Sequence, residues 1–175
     1  MPRQLTGDVE FHIVSQDIFT IEVDAVVLPT STTGALTSDL GIRIKEAGGE
    51  AVEKEAVEVA PIAVGAAFVS PGGPITAPFL IHVPIQLTPG DRVGVESIRR
   101  AARAALVAGN VKNFNTLAIP PLTSSEASGI PTIEIARSII DEVRGHRHPK
   151  PEKVYLATDK PLMIKAANKI LSNLK

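Results

Sequence analysis

Two acidic residues and two hydroxyl-rich loops are the parts of this chain that could bind a polar ligand. Asp17 precedes a short β-rich run, and Asp24 begins an apolar run. Residues 31–42 and 123–130 form the two loops, which we call the first loop and the second loop. Carboxylates accept hydrogen bonds from amines, whereas hydroxyls and backbone amides donate to phosphates and sugars. These residues therefore predict a pocket for a hydrogen-bonding ligand.

Two short apolar runs position these loops. Ala25–Leu28 is continuously apolar, which predicts a strand covered on both faces that ends at Pro29. Leu117–Ile119 is a similar run that ends at Pro120. Each run leads into one of the loops and then into a helix. In open α/β sheets, ligands bind beyond the carboxyl ends of the strands, so we expect the pocket there.

The remaining elements alternate between strands and helices, which favours a mostly parallel sheet with helices on both faces. We therefore predict a single three-layer α/β/α domain over residues 1–175, and the strand-rich start could add antiparallel edge strands. Further strands are predicted over residues 9–14, 66–69, 79–83 and 154–157. Helices are predicted over residues 40–47, after the N-cap candidates Ser38 and Asp39, over residues 50–59, 95–108 and 131–144, and from Pro161 onward.

Composition excludes several classes of function. The 175 residues include no cysteine, so disulfides, thiol nucleophiles and thiolate metal sites are excluded. A net charge of −1 provides no field that would attract nucleic acid, which we do not expect as a partner. We find no membrane-length apolar run and no signal peptide, so we expect a cytoplasmic protein with no membrane partner. Fourteen prolines and the absence of tryptophan would suit a heat-adapted protein.

Several motifs in order along the chain resemble those of the macro domains, a family that binds ADP-ribose. Asp17-Ile18 and Val23–Val27 are similar to the family's Gly-Asp-Ile-Thr and Val-Asp-Ala-Ile-Val segments. Ile44–Gly49 resembles the Ala-Gly-Gly segment after the first ligand loop, and Phe79–Val83 resembles the Tyr-Val-Ile-His strand. Order and spacing hold from about residue 8 to residue 171, so the resemblance implies the macro fold.

The resemblance also implies a ligand site for ADP-ribose or a related adenine nucleotide. Asp17 and Ile18 would contact the adenine, and the two loops would surround the ribose and phosphates. No separate cofactor or metal is implied, and no catalytic residue can be named. The implied ligand-binding residues are Asp17, Ile18, Ser31, Ser38, Asp39, Gly41, Ile42, Ser124, Ser125, Glu126, Ala127, Ser128, Gly129 and Ile130.

The loops depart from the family pattern at positions that contact phosphate. Leu28 and Ser31 replace the family's two asparagines, and most of the loop glycines are missing. Asp39, as a helix N-cap, would occupy amides that the ligand needs, and Glu126 would repel a diphosphate. Hydroxyls of Thr123, Ser124, Ser125 and Ser128 could replace part of the lost donors. We therefore expect weak or altered binding.

Two alternatives stay open. The site could be decayed or repurposed, leaving a binding or assembly module in which a homo-oligomer is possible. The protein could also be an ADP-ribosyl hydrolase or O-acetyl-ADP-ribose deacylase, with Asp39 and Glu126 positioning a water. Asp17 could equally be a turn or capping acid without a ligand.

Overall fold

The computed structural model describes residues 3–4 and 9–174, and seven strands and six helices lie within them. The strands are β1 Arg3–Gln4, β2 Glu10–Val14, β3 Ala25–Ser31, β4 Phe68–Pro71, β5 Phe79–Gln86, β6 Thr116–Ile119 and β7 Lys153–Ala157. The helices are α1 Asp39–Glu46, α2 Glu50–Val59, α3 Val95–Val111, α4 Ser125–Ser128, α5 Thr132–Gly145 and α6 Pro161–Ser172.

The strands form one mixed sheet in the order β1-β2-β7-β6-β3-β5-β4. The five central strands are parallel, and β1 and β4 run antiparallel at the two edges. Helices pack on both faces because side chains of successive strand residues point to opposite sides. Val27 lies in the core beneath α3, α5 and α6, whereas Val26 and Leu28 lie in the core beneath α1 and α2. The predicted α/β fold is confirmed.

Several predicted boundaries are wrong, among them the end of β5, which continues past Val83 to Gln86. β3 continues through Pro29 to Ser31, whereas its pairing with β6 ends at Val26. A proline is tolerated where a strand has a neighbour on one side only. α3 continues past Gly109 to Val111. Gly109 is buried, and an added Cβ would lie 3.1 Å from the Leu117 side chain, so this glycine serves close packing and does not end the helix. β4 begins at Phe68, two residues later than predicted.

Asp24 joins the starts of two neighbouring strands. Its Oδ2 atom accepts hydrogen bonds from the backbone amides of Asn115 at 2.6 Å and Thr116 at 3.1 Å. The Thr116 hydroxyl oxygen accepts in turn from the Asp24 amide at 2.8 Å. The carboxylate therefore fixes the beginning of β6 beside the beginning of β3, and its role is structural.

We expect Asp24→Ala to lower the free energy of unfolding by about 2–3 kcal/mol, because two backbone donors lose a charged acceptor. Asp24→Asn keeps one acceptor oxygen and should cost less than the alanine variant. Urea unfolding followed by circular dichroism measures both changes. Equal stability of the alanine variant and the wild-type protein would contradict this role.

Candidate functional site

The first and second loops leave the sheet side by side. They follow β3 and β6, which are parallel neighbours. After β3 the chain passes to the β5 side of the sheet, and after β6 it passes to the β7 side. In open α/β sheets, such a switch in strand order at the carboxyl ends of the strands is where ligands bind. The structure therefore brings the two predicted loops to a topological switch point.

The first loop is held by hydrogen bonds within itself and to neighbouring segments of the chain. Ser31 is fully buried, and its hydroxyl lies 2.7 Å from the hydroxyl of Thr33. The amide of Gly34 donates to the Ser31 carbonyl at 3.2 Å. The amide of Leu36 donates to Oε2 of Glu53, on α2, at 2.8 Å. Ser31, the predicted ribose contact, is thus engaged within the loop.

The start of α1 differs from the prediction for Asp39. Ser38 is the N-cap, and its hydroxyl oxygen accepts from the Gly41 amide at 3.2 Å. Asp39 is the exposed first residue of the helix, so it does not occupy the amides that Ser38 caps. Gly41 is buried and Ile42 is exposed. Within the described part of the chain, no hydrogen bond engages the amides of residues 37–40.

Glu53 positions the first loop, and its removal should be costly. The same carboxylate oxygen that accepts from Leu36 lies 3.2 Å from Nζ of Lys45. We expect Glu53→Ala to cost about 1–3 kcal/mol, because the amide of the buried Leu36 would lose its acceptor. Glu46→Ala, at an exposed position on α1, should change stability by less than about 0.5 kcal/mol. Thermal unfolding compares the two, and equal losses would contradict the positioning role.

The second loop contains a helical turn, α4, where the sequence predicted only a loop. Ser124 caps this turn, and its hydroxyl oxygen accepts from the Ala127 amide at 3.1 Å. The Ser128 hydroxyl donates to the Ser124 carbonyl at 2.7 Å and accepts from the Ile130 amide at 3.1 Å. Gly129 ends the turn at a φ of 76°. Ser124 and Ser128 therefore stabilise the loop, which leaves Thr123 and Ser125 as its uncommitted hydroxyls.

The other predicted residues of the second loop differ in exposure. Glu126 and Ala127 are exposed, and Ser125 is half-buried. Ile130 is buried in the main core. In the described residues, no hydrogen bond engages the amides of residues 123–126. Both loops therefore present a run of unpaired backbone donors.

Asp17 forms an ion pair that the sequence did not predict. Its two carboxylate oxygens accept from Arg43 of α1 at 3.0 and 3.1 Å, and Oδ1 also accepts from the Phe19 amide at 3.0 Å. The Arg43 guanidinium lies 4.9 Å above the Phe19 ring. These bonds, chiefly the one from Arg43, lower the pKa of Asp17. Asp17 is therefore ionised at neutral pH and already has a partner.

Arg43 and Glu53 are the residues near the site that sequence reasoning missed. Arg43 lies 26 residues from Asp17, and no spacing rule relates two such positions.

Ile18, the second predicted adenine contact, is half-buried and packs against the core beneath α1 and α2. Leu162, at the start of α6, is 72% exposed.

Two kinds of feature were not found in the described residues. No three histidine or acidic side chains come together in a way that could hold a metal ion. No helix in this part of the chain has both the length and the apolar character of a membrane span.

Comparison with known protein families identifies the family of this chain. The Macro domain model matches residues 27–139, and the chain belongs to the macro domain family. An uncharacterized protein of Aquifex aeolicus is 32% identical over 162 residues, covering 93% of this chain and 98% of that protein. Human protein mono-ADP-ribosyltransferase PARP14 is 25% identical over 137 residues, covering 78% of this chain but 7% of that protein.

Solved structures show the same fold. An Oceanobacillus iheyensis macrodomain variant with ADPR superposes with a TM-score of 0.83 and 19% identity, covering 99% of this chain and 97% of that one. The same macrodomain with ADP gives a TM-score of 0.80 at 19% identity, covering 99% and 95%. At this level of identity the likeness establishes the architecture only, and the ligands belong to those proteins.

Proposed function

We propose that this protein binds ADP-ribose or a related adenine nucleotide in the crevice between the first and second loops. One observation carries the proposal. Two adjacent loops at the topological switch point each present unpaired backbone amides, at residues 37–40 and 123–126. Such amides bind phosphate oxygens well, because they are fixed in place and are not hydrated as strongly as a charged side chain. Membership of the macro domain family supports the same ligand class.

Asp17 and Ile18 are the proposed adenine contacts. An adenine amino group would have to share or replace the Arg43 guanidinium at the Asp17 carboxylate. Both side chains of this ion pair are about half exposed, at 50% for Arg43 and 49% for Asp17. Exposed ion pairs contribute only about 0–1 kcal/mol, so a ligand can displace Arg43 at modest cost.

Two acids near the phosphate donors should weaken the binding. Asp39 is the first residue of α1 and Glu126 lies in the first turn of α4, and both are exposed. Each places a negative charge at a helix start that would otherwise favour an anionic ligand. Binding of a diphosphate should therefore be weaker than in a site where these positions are neutral.

Calorimetric titration with ADP-ribose tests the proposal, with ADP and AMP as controls. We expect a dissociation constant between about 1 μM and 1 mM and a preference for ADP-ribose. Asp39→Asn should tighten binding about two- to fivefold by removing one charge from the helix start. Glu46→Gln neutralises an exposed acid at the other end of the same helix and should leave the affinity unchanged. Absence of heat with all three ligands at millimolar concentration would reject the proposal.

A hydrolase activity has less support in the geometry. Ser31, which stands where the family has an asparagine beside the distal ribose, is fully buried and hydrogen-bonded to Thr33. Asp39 and Glu126 are exposed, and no side chain among the described residues forms a hydrogen bond or ion pair that would orient either carboxylate. Asp39→Ala and Glu126→Ala would abolish an activity that depends on water positioned by these acids.

A further inference from the structure

Exposed apolar side chains concentrate around the edge of the sheet that β4 forms. Eight large apolar side chains are exposed in the described residues, and four of them flank this edge. Val57 and Val59 lie at the end of α2, on one face of the sheet. Val107 and Val111 lie on α3, on the other face, and Val111 is 73% exposed. Clusters of this kind on a soluble protein mark interaction surfaces more often than isolated exposed residues do.

A groove runs between α3 and the chain segment that enters β4. Its volume is about 560 Å³, and most of its lining is apolar. Arg103 and Lys112 lie among its lining residues. Arg103 is paired with Glu142 of α5 at 2.8 Å, so Lys112 is the lining cation that brings positive charge to the groove. The apolar lining comes from residues 65–69 and from Ala104, Val107, Ala108 and Val111. This groove shares no residue with the first or second loop.

The two helices on either side of β4 carry opposite charges. On α2, Glu55 and Glu58 are exposed and outnumber the one exposed cation, Lys54, and no ion pair within the described residues involves any of the three. On α3, Lys112 likewise forms no ion pair there, and Arg100 contacts only Glu96 of its own helix, at 3.7 Å. One flank of the β4 edge is therefore acidic and apolar, and the other is basic and apolar.

The free edge of β4 determines how two such surfaces could meet. β4 pairs with β5 on one side, and no strand of the described residues pairs with its other side. A two-fold axis that lies in the sheet and runs along β4 places α2 of one copy against α3 of the other, and the contact occurs twice. A two-fold axis perpendicular to the sheet would instead place α3 against α3, which brings like charges together. Charge complementarity therefore selects the first arrangement.

We propose that a second copy of this chain docks at this edge, with α2 of each copy against the groove between β4 and α3 of the other. The apolar contacts come from Val57 and Val59 on one side and Val107 and Val111 on the other. Glu55 and Glu58 face the cations of α3. The dimer also restrains α2, whose Glu53 holds the amide of Leu36 in the first loop.

Sedimentation velocity of the full chain over a range of concentrations tests this proposal. We expect a concentration-dependent dimer. Val111→Asn should weaken dimerisation by about tenfold or more, because the lost apolar contact occurs twice in a symmetric dimer. Leu162→Asn is the matched control, since Leu162 on α6 is 72% exposed, close to the 73% of Val111. A wild-type protein that stays monomeric throughout would overturn the proposal.

Charge reversal tests the arrangement of the two copies. One variant carries Glu55→Lys and Glu58→Lys, and a second carries Arg100→Glu and Lys112→Glu. Each alone should be monomeric, because both of its flanks then carry the same charge, whereas an equimolar mixture should form heterodimers. Circular dichroism verifies that both variants are folded. If each variant still dimerises like the wild-type protein, or the mixture stays monomeric, the arrangement is wrong.

Discussion

Replacing Gly34 with alanine is expected to lower the free energy of unfolding by about 2–5 kcal/mol and to abolish ligand binding in the first loop. Gly34 has a φ of +81°, which costs an L-residue with a side chain about 1–2 kcal/mol. An added Cβ would also lie 2.7 Å from the backbone carbon and oxygen of Ala56 in α2. Because the backbone of a packed helix cannot move aside cheaply, the loop must shift, at a further cost of about 1–3 kcal/mol.

Gly48→Ala and Gly129→Ala separate the two causes. Both glycines also have positive φ, of +97° and +76°, but an added Cβ would meet nothing within 4 Å. These variants should therefore show only the backbone cost. Chemical unfolding measures stability, and titration with ADP-ribose measures binding. If Gly34→Ala is no less stable than Gly48→Ala, α2 does not support the first loop as the structure indicates.

Acidification is expected to destabilise the protein by about 3 kcal/mol through one buried histidine. His82 on β5 is fully buried, and its Nε2 atom lies 2.9 Å from the Ser70 hydroxyl oxygen. That hydroxyl donates to the Pro71 carbonyl at 3.0 Å, so Nε2 carries the proton and donates to Ser70. Nδ1 has no partner. Burial lowers the pKa of His82 from 6.5 to about 4.

The direction of the pH dependence follows from these values. Above about pH 6.5 His82 is neutral in both the folded and the unfolded state. Between about pH 6.5 and pH 4 only the unfolded state binds the proton, so stability falls as the pH falls. Below about pH 4 both states are protonated and the loss is complete, at about 1.4 kcal/mol for each unit of the pKa difference.

Urea unfolding at pH 7 and pH 4.5 measures this effect. His82→Gln keeps a side-chain amide that can donate to Ser70 but does not titrate, so most of the pH dependence should disappear. A smaller part should remain, because burial also lowers the pKa of His146. His148→Gln, at an exposed position, should behave like the wild-type protein. An unchanged pH dependence in His82→Gln would contradict the assignment.

The sequence predicted the fold well, because the apolar patterns that it relies on are local. The run Ala25–Leu28 identified the central strand, and the family motifs indicated the order of the elements. Boundaries failed where a distant neighbour decides the outcome. The strand β3 continues through Pro29 because its pairing with β6 has already ended at Val26. The helix α3 continues through Gly109, where the absence of a side chain lets Leu117 pack closely against the helix.

The sequence identified two loops for a candidate site, but not the contacts that hold them. The sequence placed most of the proposed ligand residues on two loops, and in the structure these loops follow the neighbouring strands β3 and β6. The sequence could not reveal which of Ser38 and Asp39 would cap α1, since both residue types suit an N-cap. Nor could it reveal that Arg43 reaches Asp17, or that Ser124 and Ser128 are used to build α4. Such contacts depend on the folded chain and leave no local pattern.

Amide chemical shifts of the isotope-labelled protein during titration with ADP-ribose test the central claim most directly. We expect the shifts to be confined to the first loop, the second loop and the residues around Asp17. The unpaired amides of residues 37–40 and 123–126 should move most, because they are the proposed phosphate donors. An absence of shifts at millimolar ADP-ribose, or shifts confined to the groove beside β4, would contradict the account.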